Sequence, residues 1–162
     1  TSKIDKNNVI DYLNFPDRIY PVGRLDKEST GLLLLTNNGQ LMDDILRGSN
    51  YHEKEYIVHV NKPITDSVLQ AMAQGVPILD TITRPCKIRR MGKDCFYITL
   101  TQGLNRQIRR MCEYFDYRVT SLKRIRIMNI ELGSLPVGKW RELTPSEIKT
   151  LKNLAQNKGE AE

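Results

Sequence analysis

An aspartate at position 26 follows Arg24 and Leu25 in the stretch YPVGRLDKESTGLLLLTNNG, residues 20 to 39, and a run of leucines comes soon after it. The acid therefore sits in a loop that leads into an apolar strand, and a rigid element of that kind can hold a side chain in one place. A carboxylate beside an arginine is also a common surface or capping pair, so Asp26 gains weight as a reactive group only in company. Two other side chains supply it. Tyr56, in KEYIV, joins an apolar ring to a polar tip. Arg109, in GLNRQIRRM, brings a guanidinium from a basic region. Read singly, the tyrosine is a core residue of a strand and the arginine is a phosphate contact or part of a solvated helix face.

The elements that must position these three follow from the periodicity of the chain. GLLLLTNN (31 to 38) is a short apolar run closed by Asn37, Asn38 and Gly39, which predicts a buried strand, a turn and then a helix over QLMDDILR. KEYIVHV (54 to 60) alternates as a half-buried strand does. PITDSVLQAMAQGV reads as a helix with Thr65 as N-cap, an apolar stripe of Val68, Leu69 and Met72, and Gly75 as its stop.

Residues 81–101 predict a hairpin, CKIRRM and CFYITLTQ around the turn GKD. Gly103 opens NRQIRRMCEYF, whose Ile108, Met111, Cys112 and Phe115 recur at helical spacing and face the core, while Arg106 shares a side with both Arg109 and Arg110. YRVTSLKRIRIMNIEL returns to period two, with Val119, Ser121, Lys123 and Ile125 on one side and Leu122, Arg124 and Arg126 on the other. TPSEIKTLKNL closes the chain as a helix with a capping box, Thr144 at the N-cap, Pro145 at N1 and Glu147 at N3. Strands outnumber helices, so the expected fold class is α+β: a mixed, mainly antiparallel sheet with packed helices. A doubly wound parallel sheet is not expected, because no glycine-rich phosphate loop follows a strand.

The 162 residues, 40% of them hydrophobic, fit one ordinary domain. The expected boundaries are a folded unit over residues 1–154 and a frayed tail over 155–162. No apolar run approaches the roughly 18 residues of a membrane span, and the start TSKIDKNNVIDYL lacks the pattern of a secretory signal, so the default location is cytoplasmic with no membrane partner. Cys86, Cys95 and Cys112 have no C-x-x-C spacing and no histidine at ligand-like spacing, and read as reduced thiols. His52 and His59 flank a strand and read as structural or surface residues; no metal site is expected.

The net charge of +6 is unevenly placed, since residues 84–126 hold twelve Lys and Arg against three Asp and Glu. Such a field attracts polyanions, because each neutralised phosphate releases condensed counterions. Nucleic acid is the first partner to consider, with a solvated basic face as the plain alternative.

YPVGRLDKESTGLLLLTNNG, KEYIV and GLNRQIRRMCEYF together resemble the three signature segments of the ribosomal RNA pseudouridine synthases, in the branch that modifies single uridines. HEKEYIVHVNKPIT, GVPIL, QGLNRQIRRMCE and RIRIMNI bring it nearest to the large-subunit RluF type, and the resemblance runs from Arg18 to about Leu154. It implies isomerisation of a uridine in ribosomal RNA, large-subunit RNA by preference: the glycosidic bond is cleaved, the base rotates, and carbon 5 rejoins the sugar, with no cofactor or metal. By match to the motifs, Asp26 is the essential acid, acting as nucleophile or as base toward a sugar proton. Tyr56 stacks on the extracted base, and Arg109 pairs with Asp26 and keeps it ionised.

Flipping a stacked base costs a few kcal/mol that basic contacts help offset. The expected RNA contacts are Arg24, Arg89, Arg90, Asn105, Arg106, Gln107, Arg110, Lys123 and Arg124. Full-length members of the family begin with a small RNA-binding domain and an NKP strand, and many of this type end in a basic tail; the sequence is expected to lack all three and to act as a monomer. The rival readings are a non-catalytic RNA-binding module, which has no need for the acid, tyrosine and arginine together, and a glycoside hydrolase, which needs a second placed acid.

Overall fold

A computed structural model of the chain describes residues 19–47 and 51–156. Ten short strands and four helices are found among the described residues. The centre is a six-stranded mixed sheet built on β4 (Lys54–Val60), which pairs antiparallel with β8 (Cys95–Leu100) on one side and β9 (Val119–Ile127) on the other. β7 (Lys87–Gly92) extends the sheet beyond β8. The outer edge of β9 carries β10 (Ile130–Glu131), antiparallel, and β2 (Thr30–Gly31), parallel. β1 (Tyr20–Pro21) pairs with β3 (Leu35–Thr36), and β5 (Pro77–Ile78) with β6 (Thr81–Ile82), each as a separate two-stranded piece.

The helices are α1 (Gly39–Leu46), α2 (Asp66–Gln74), α3 (Gln107–Tyr114) and α4 (Pro145–Gln156). α2 and α4 are capped as the sequence specifies, whereas α1 starts at Gly39 and α3 at Gln107, after Arg106 as N-cap. Thr65 Oγ1 accepts from Val68 N at 3.2 Å and Gly75 ends α2 at φ 124°. Thr144 Oγ1 accepts from Glu147 N at 3.1 Å while Glu147 Oε1 accepts from Thr144 N at 2.8 Å, which completes the capping box of α4. Ala155 and Gln156, assigned to the frayed tail, belong to α4, and Ala155 is buried; positions 157–162 lie outside the described residues.

Two apolar clusters hold the fold. One joins Val58, Phe96, Ile98 and Leu122 of the sheet to Leu69 and Met72 of α2 and Ile108, Met111 and Cys112 of α3. The other joins Val22, Leu32, Leu34 and Ile45 to Ile127, Ile130, Leu151 and Ala155. Phe115, read as core, packs partly buried against the first cluster.

Two readings of the strands need correction. The apolar run 31–38 is not one strand: Leu32 N bonds to Arg124 O at 2.8 Å, Val22 N bonds to Leu34 O at 2.7 Å, and the chain passes from β2 to β3 between them. Gly31, at φ 111°, permits that bend. The strict alternation expected over β9 also fails, for Val119, Leu122, Arg124 and Ile127 are all buried. Its register against β4 shifts between His59 and Val60 and again between Glu55 and Tyr56. Each shift leaves one residue of β9 unopposed and turns the strand over, so that buried positions fall three apart across a bulge and two apart between bulges.

Candidate active site

Asp26 is half-buried at the start of a tight turn, closed by Ser29 N bonding to Asp26 O at 2.9 Å. The turn feeds directly into β2, and Gly31 pairs with Arg124 of β9. Arg124 in turn pairs with Tyr56 of β4. One line across three strands therefore links the end of the aspartate loop to the tyrosine. Tyr56 packs partly buried against the first cluster, to which Ile108 and Met111 of α3 also belong.

Arg109 projects from the first turn of α3 and is 7% exposed. Its ion-pair contact is with Glu28, two residues beyond Asp26, at 3.9 Å, where the sequence reading expects Asp26 itself. Thus the turn carrying the acid and the helix carrying the arginine face each other, through the neighbouring carboxylate. The Nε and Nη2 of Arg109 have no hydrogen-bond partner, nor does Nη2 of Arg124.

Lys54 belongs to the same surroundings and was not among the expected site residues. It stands two residues before Tyr56 on β4, so its side chain shares the tyrosine's side of the strand. Burial, and then the charge of Arg124, push its ammonium below the ordinary lysine range. The alternation of KEY was the signal for it, but a lysine at a strand's start reads as solvent-facing until the sheet around it is known. Glu28 was missed for a similar reason, as one acid within a charged loop.

Three expected RNA contacts are engaged by the fold itself, two of them buried and Arg90 at the surface. Arg124 is 3% exposed and donates Nε to Leu32 O at 2.9 Å. Gln107 is buried, and its amide bridges Leu104 N at 3.1 Å and Gln102 Oε1 at 3.2 Å, which braces the loop before α3. Arg90 clamps Asp66 Oδ1, Ile64 O, Gly92 O and Lys93 O, the shortest of these bonds being 2.6 Å to Ile64 O. In each case a buried or half-buried backbone carbonyl or amide claims the polar group first.

Others are on the surface. Arg24, Asn105 and Lys123 are exposed, and Arg89 lies with its guanidinium 4.0 Å above the Tyr97 ring. Arg110 is held to Asn105 by bonds of 2.9 and 2.8 Å, so these two act as a unit. Arg126 forms a network with Glu53 and Glu55 at 3.1 and 2.8 Å, which further reduces the free charge of the basic segment.

The thiols are buried or half-buried and unpaired; burial pushes Cys112 up to about 12 and Cys86 up to about 11. His52 Nε2 meets Ala155 O at 3.2 Å, and burial pulls its pKa below 6.5. Among the described residues no group of three or more His, Cys, Asp or Glu could hold a metal ion, and no helix is long and apolar enough to cross a membrane.

The three signature segments are thus linked through the sheet and through the Glu28–Arg109 contact. The family model for RNA pseudouridylate synthases matches residues 2–114. This chain belongs to the RNA pseudouridylate synthase family. It is 54% identical to a dual-specificity RNA pseudouridine synthase RluF of Salmonella typhi over 94% of the chain and 53% of that protein. A ribosomal large subunit pseudouridine synthase B of Bacillus subtilis is 35% identical over 90% of the chain and 62% of that protein. The likeness to the RluF type read from the sequence is thereby supported, and the chain spans about half the length of these RluF relatives.

A crystal structure of a pseudouridylate synthase superposes with a TM-score of 0.84 at 30% identity, covering 88% of this chain and 64% of that one. The α+β fold class expected from the sequence is that of this family member. An H/ACA ribonucleoprotein bound to a substrate RNA containing 2′-deoxyuridine gives a TM-score of 0.55 at 16% identity, which shows a shared fold alone.

Proposed function

We propose that this pseudouridylate synthase chain isomerises a uridine of ribosomal RNA, large-subunit RNA by preference, to pseudouridine in the cytoplasm. Residues 1–154 serve as the catalytic unit, and one chain supplies every reacting group, so a monomer suffices. What supports this reading is that the Asp26 turn runs into β2, which is linked through Arg124 of β9 to Tyr56 of β4, and that Glu28 of the same turn approaches Arg109 at 3.9 Å.

In this reading Asp26 acts on the sugar of the flipped uridine, as nucleophile at carbon 1′ or as base toward a sugar proton. Breaking the N1 bond frees the uracil, which turns and rejoins through carbon 5; the proton at carbon 5 departs and a nitrogen regains one, so nothing is oxidised or reduced. Tyr56 stacks on the base. Arg109 pairs with Asp26 once it turns toward that carboxylate from Glu28. Arg24, Arg89, Arg106, Arg110, Asn105 and Lys123 grip phosphate and ribose, which offsets part of the few kcal/mol needed to unstack the base.

The test is Asp26→Asn. Carbodiimide mapping of pseudouridine on ribosomal RNA is expected to show no product, while RNA affinity stays the same or rises. Product at the wild-type level would sink the reading.

A further inference from the structure

Lys54 is a half-buried cation with no acid to answer it. Among the described residues its ammonium makes no ion pair and no hydrogen bond, while burial, and after it the charge of Arg124, lowers its pKa from 10.5. The glutamates on either side of it in sequence are engaged elsewhere. Glu53 pairs with Arg126 at 3.1 Å and Lys87 at 3.3 Å, and Glu55 with Arg126 at 2.8 Å, from the opposite side of β4. An ammonium desolvated without a counter-charge carries a cost that nothing in the fold itself offsets.

The register of the sheet shows where that charge stands. Lys54 lies opposite Leu100 of β8 and Ile127 of β9, so the three share one side of the sheet. Leu100 belongs to the first apolar cluster and Ile127 to the second, which puts Lys54 at the seam between them. Tyr56 follows two residues on, about 6.6 Å along the strand and on the same side. Opposite Tyr56 is Arg124, whose Nη2 has no acceptor and whose other strand partner, Gly31, leads back to the Asp26 turn. Lys54, Tyr56 and Arg124 thus form a polar floor between two apolar walls. The titratable groups that bear on Lys54 are Arg124 and His52, whose own pKa is lowered by burial and, less, by the Lys54 charge; both are bases.

A flipped base reaches such a floor, whereas the phosphates stay with the strand at the rim. We propose that Lys54 is a further catalytic residue, whose ammonium donates to a carbonyl oxygen of the uracil stacked on Tyr56 and stabilises that base as an anion while it is detached from the sugar. The inference rests on the isomerisation proposed above. When the bond from carbon 1′ to N1 breaks, its electron pair leaves with the uracil and spreads over N1 and the carbonyl oxygens. Carbon 5 then gives a pair to carbon 1′ and loses its proton, and N1 gains one, so Lys54 holds charge without transferring a proton. A fixed cation in a desolvated site acts most strongly where charge develops.

The experiment uses unmodified, transcribed ribosomal RNA with enzyme in excess, and measures single-turnover pseudouridine formation, RNA affinity and melting temperature on the same preparations. Lys54→Met is expected to slow the chemical step about 100-fold, the scale of losing one such donor. RNA affinity should stay within about twofold, and the melting temperature should equal or exceed the wild type's, because an unpaired desolvated charge has been removed. Lys54→Arg keeps the charge and should recover the rate to within about tenfold. The wild-type rate should fall as pH rises, at a pH below 10.5, because a lysine that has lost its proton cannot hold an anion; Lys54→Arg should lack that fall.

The role is overturned if Lys54→Met turns over as the wild type does. It is overturned equally if RNA affinity drops as far as the rate, which would make the lysine a phosphate contact. A lowered melting temperature with no recovery in Lys54→Arg would make it a structural residue and end the proposal as well. The proposed function fails by different results, a wild-type protein that forms no pseudouridine or an Asp26→Asn variant that does, so the two failures are told apart by which protein shows them.

Discussion

Gly31 and Arg124 are packed backbone to backbone: a Cβ added at Gly31 would collide with the Arg124 carbonyl oxygen and lie 2.6 Å from the Arg124 amide nitrogen. The glycine sits at φ 111°, where side chains are strained in any case. This contact fixes β2 against β9 and so fixes the turn that ends at Ser29. Gly31→Ala is expected to destabilise the fold by about 2 to 3 kcal/mol. Product formation per folded molecule should fall by about 100-fold, because a shift near 1 Å in the Asp26 turn misaligns the reaction. Denaturant melts and single-turnover assays on the same preparation check both, and unchanged turnover would show that β2 does not position the acid.

Arg90 and Arg89 are neighbours in sequence with opposite tasks. Arg90 holds Asp66, at the first turn of α2, together with three backbone carbonyls, whereas Arg89 rests on Tyr97 with its charge exposed. Arg90→Lys cannot reproduce the fork and is expected to lower stability by about 1 to 3 kcal/mol with little change in RNA affinity. Arg89→Gln should weaken RNA binding and flatten its salt dependence, with stability unchanged. Thermal melts and binding isotherms separate the two, and a reversed pattern would contradict the assignment.

The capping box of α4 gives a pH dependence with a definite sign. The bond from Arg141, then the Thr144 amide, hold the Glu147 carboxyl down at about 2. A carboxylate depressed in the folded state contributes stability above its unfolded value, near 4.5, and that contribution is lost as pH falls toward about 2. Glu147→Gln should therefore make the melting temperature less sensitive to acid in that interval. Separately, Thr144→Ala should cost ~1 kcal/mol at neutral pH, the usual worth of a threonine N-cap.

Cys112 and Cys86, pushed up to about 12 and about 11 by burial, hold their protons at neutral pH. Native protein treated with iodoacetamide at pH 8 is expected to gain no mass at these two positions over a time in which denatured protein reacts fully. Rapid native alkylation of Cys112 would mean that α3 opens far more often than its packing suggests.

Much of this molecule was legible before folding was considered. The caps at Thr65, Thr144 and Glu147, the strand at 54–60 and the apolar stripe of α3 are local: each depends on residues within one or two turns, and periodicity records them faithfully. The three signature segments likewise named Asp26, Tyr56 and Arg109 as a set. The two strands of the 31–38 run escaped that reading, because where the run bends depends on Gly31 meeting a strand more than 90 residues away.

The alternation of β9 failed for the same kind of reason. A bulge is a mismatch between two strands, so Val119 and Leu122 share the interior through the register with β4, which neither strand's own pattern contains. Charge shows the same division. By itself the sequence determined that residues 84–126 are basic, and its resemblance to three signature segments pointed to the family. Only the tertiary structure decided which cations stay available, since Arg90, Arg124 and Arg126 are taken up by carbonyls and carboxylates from distant segments, and that Arg109 meets Glu28 beside the acid. The physical reason is that helix and cap propensities act over a few residues, while desolvation binds each buried polar group to whatever partner the whole fold brings within about 3 Å.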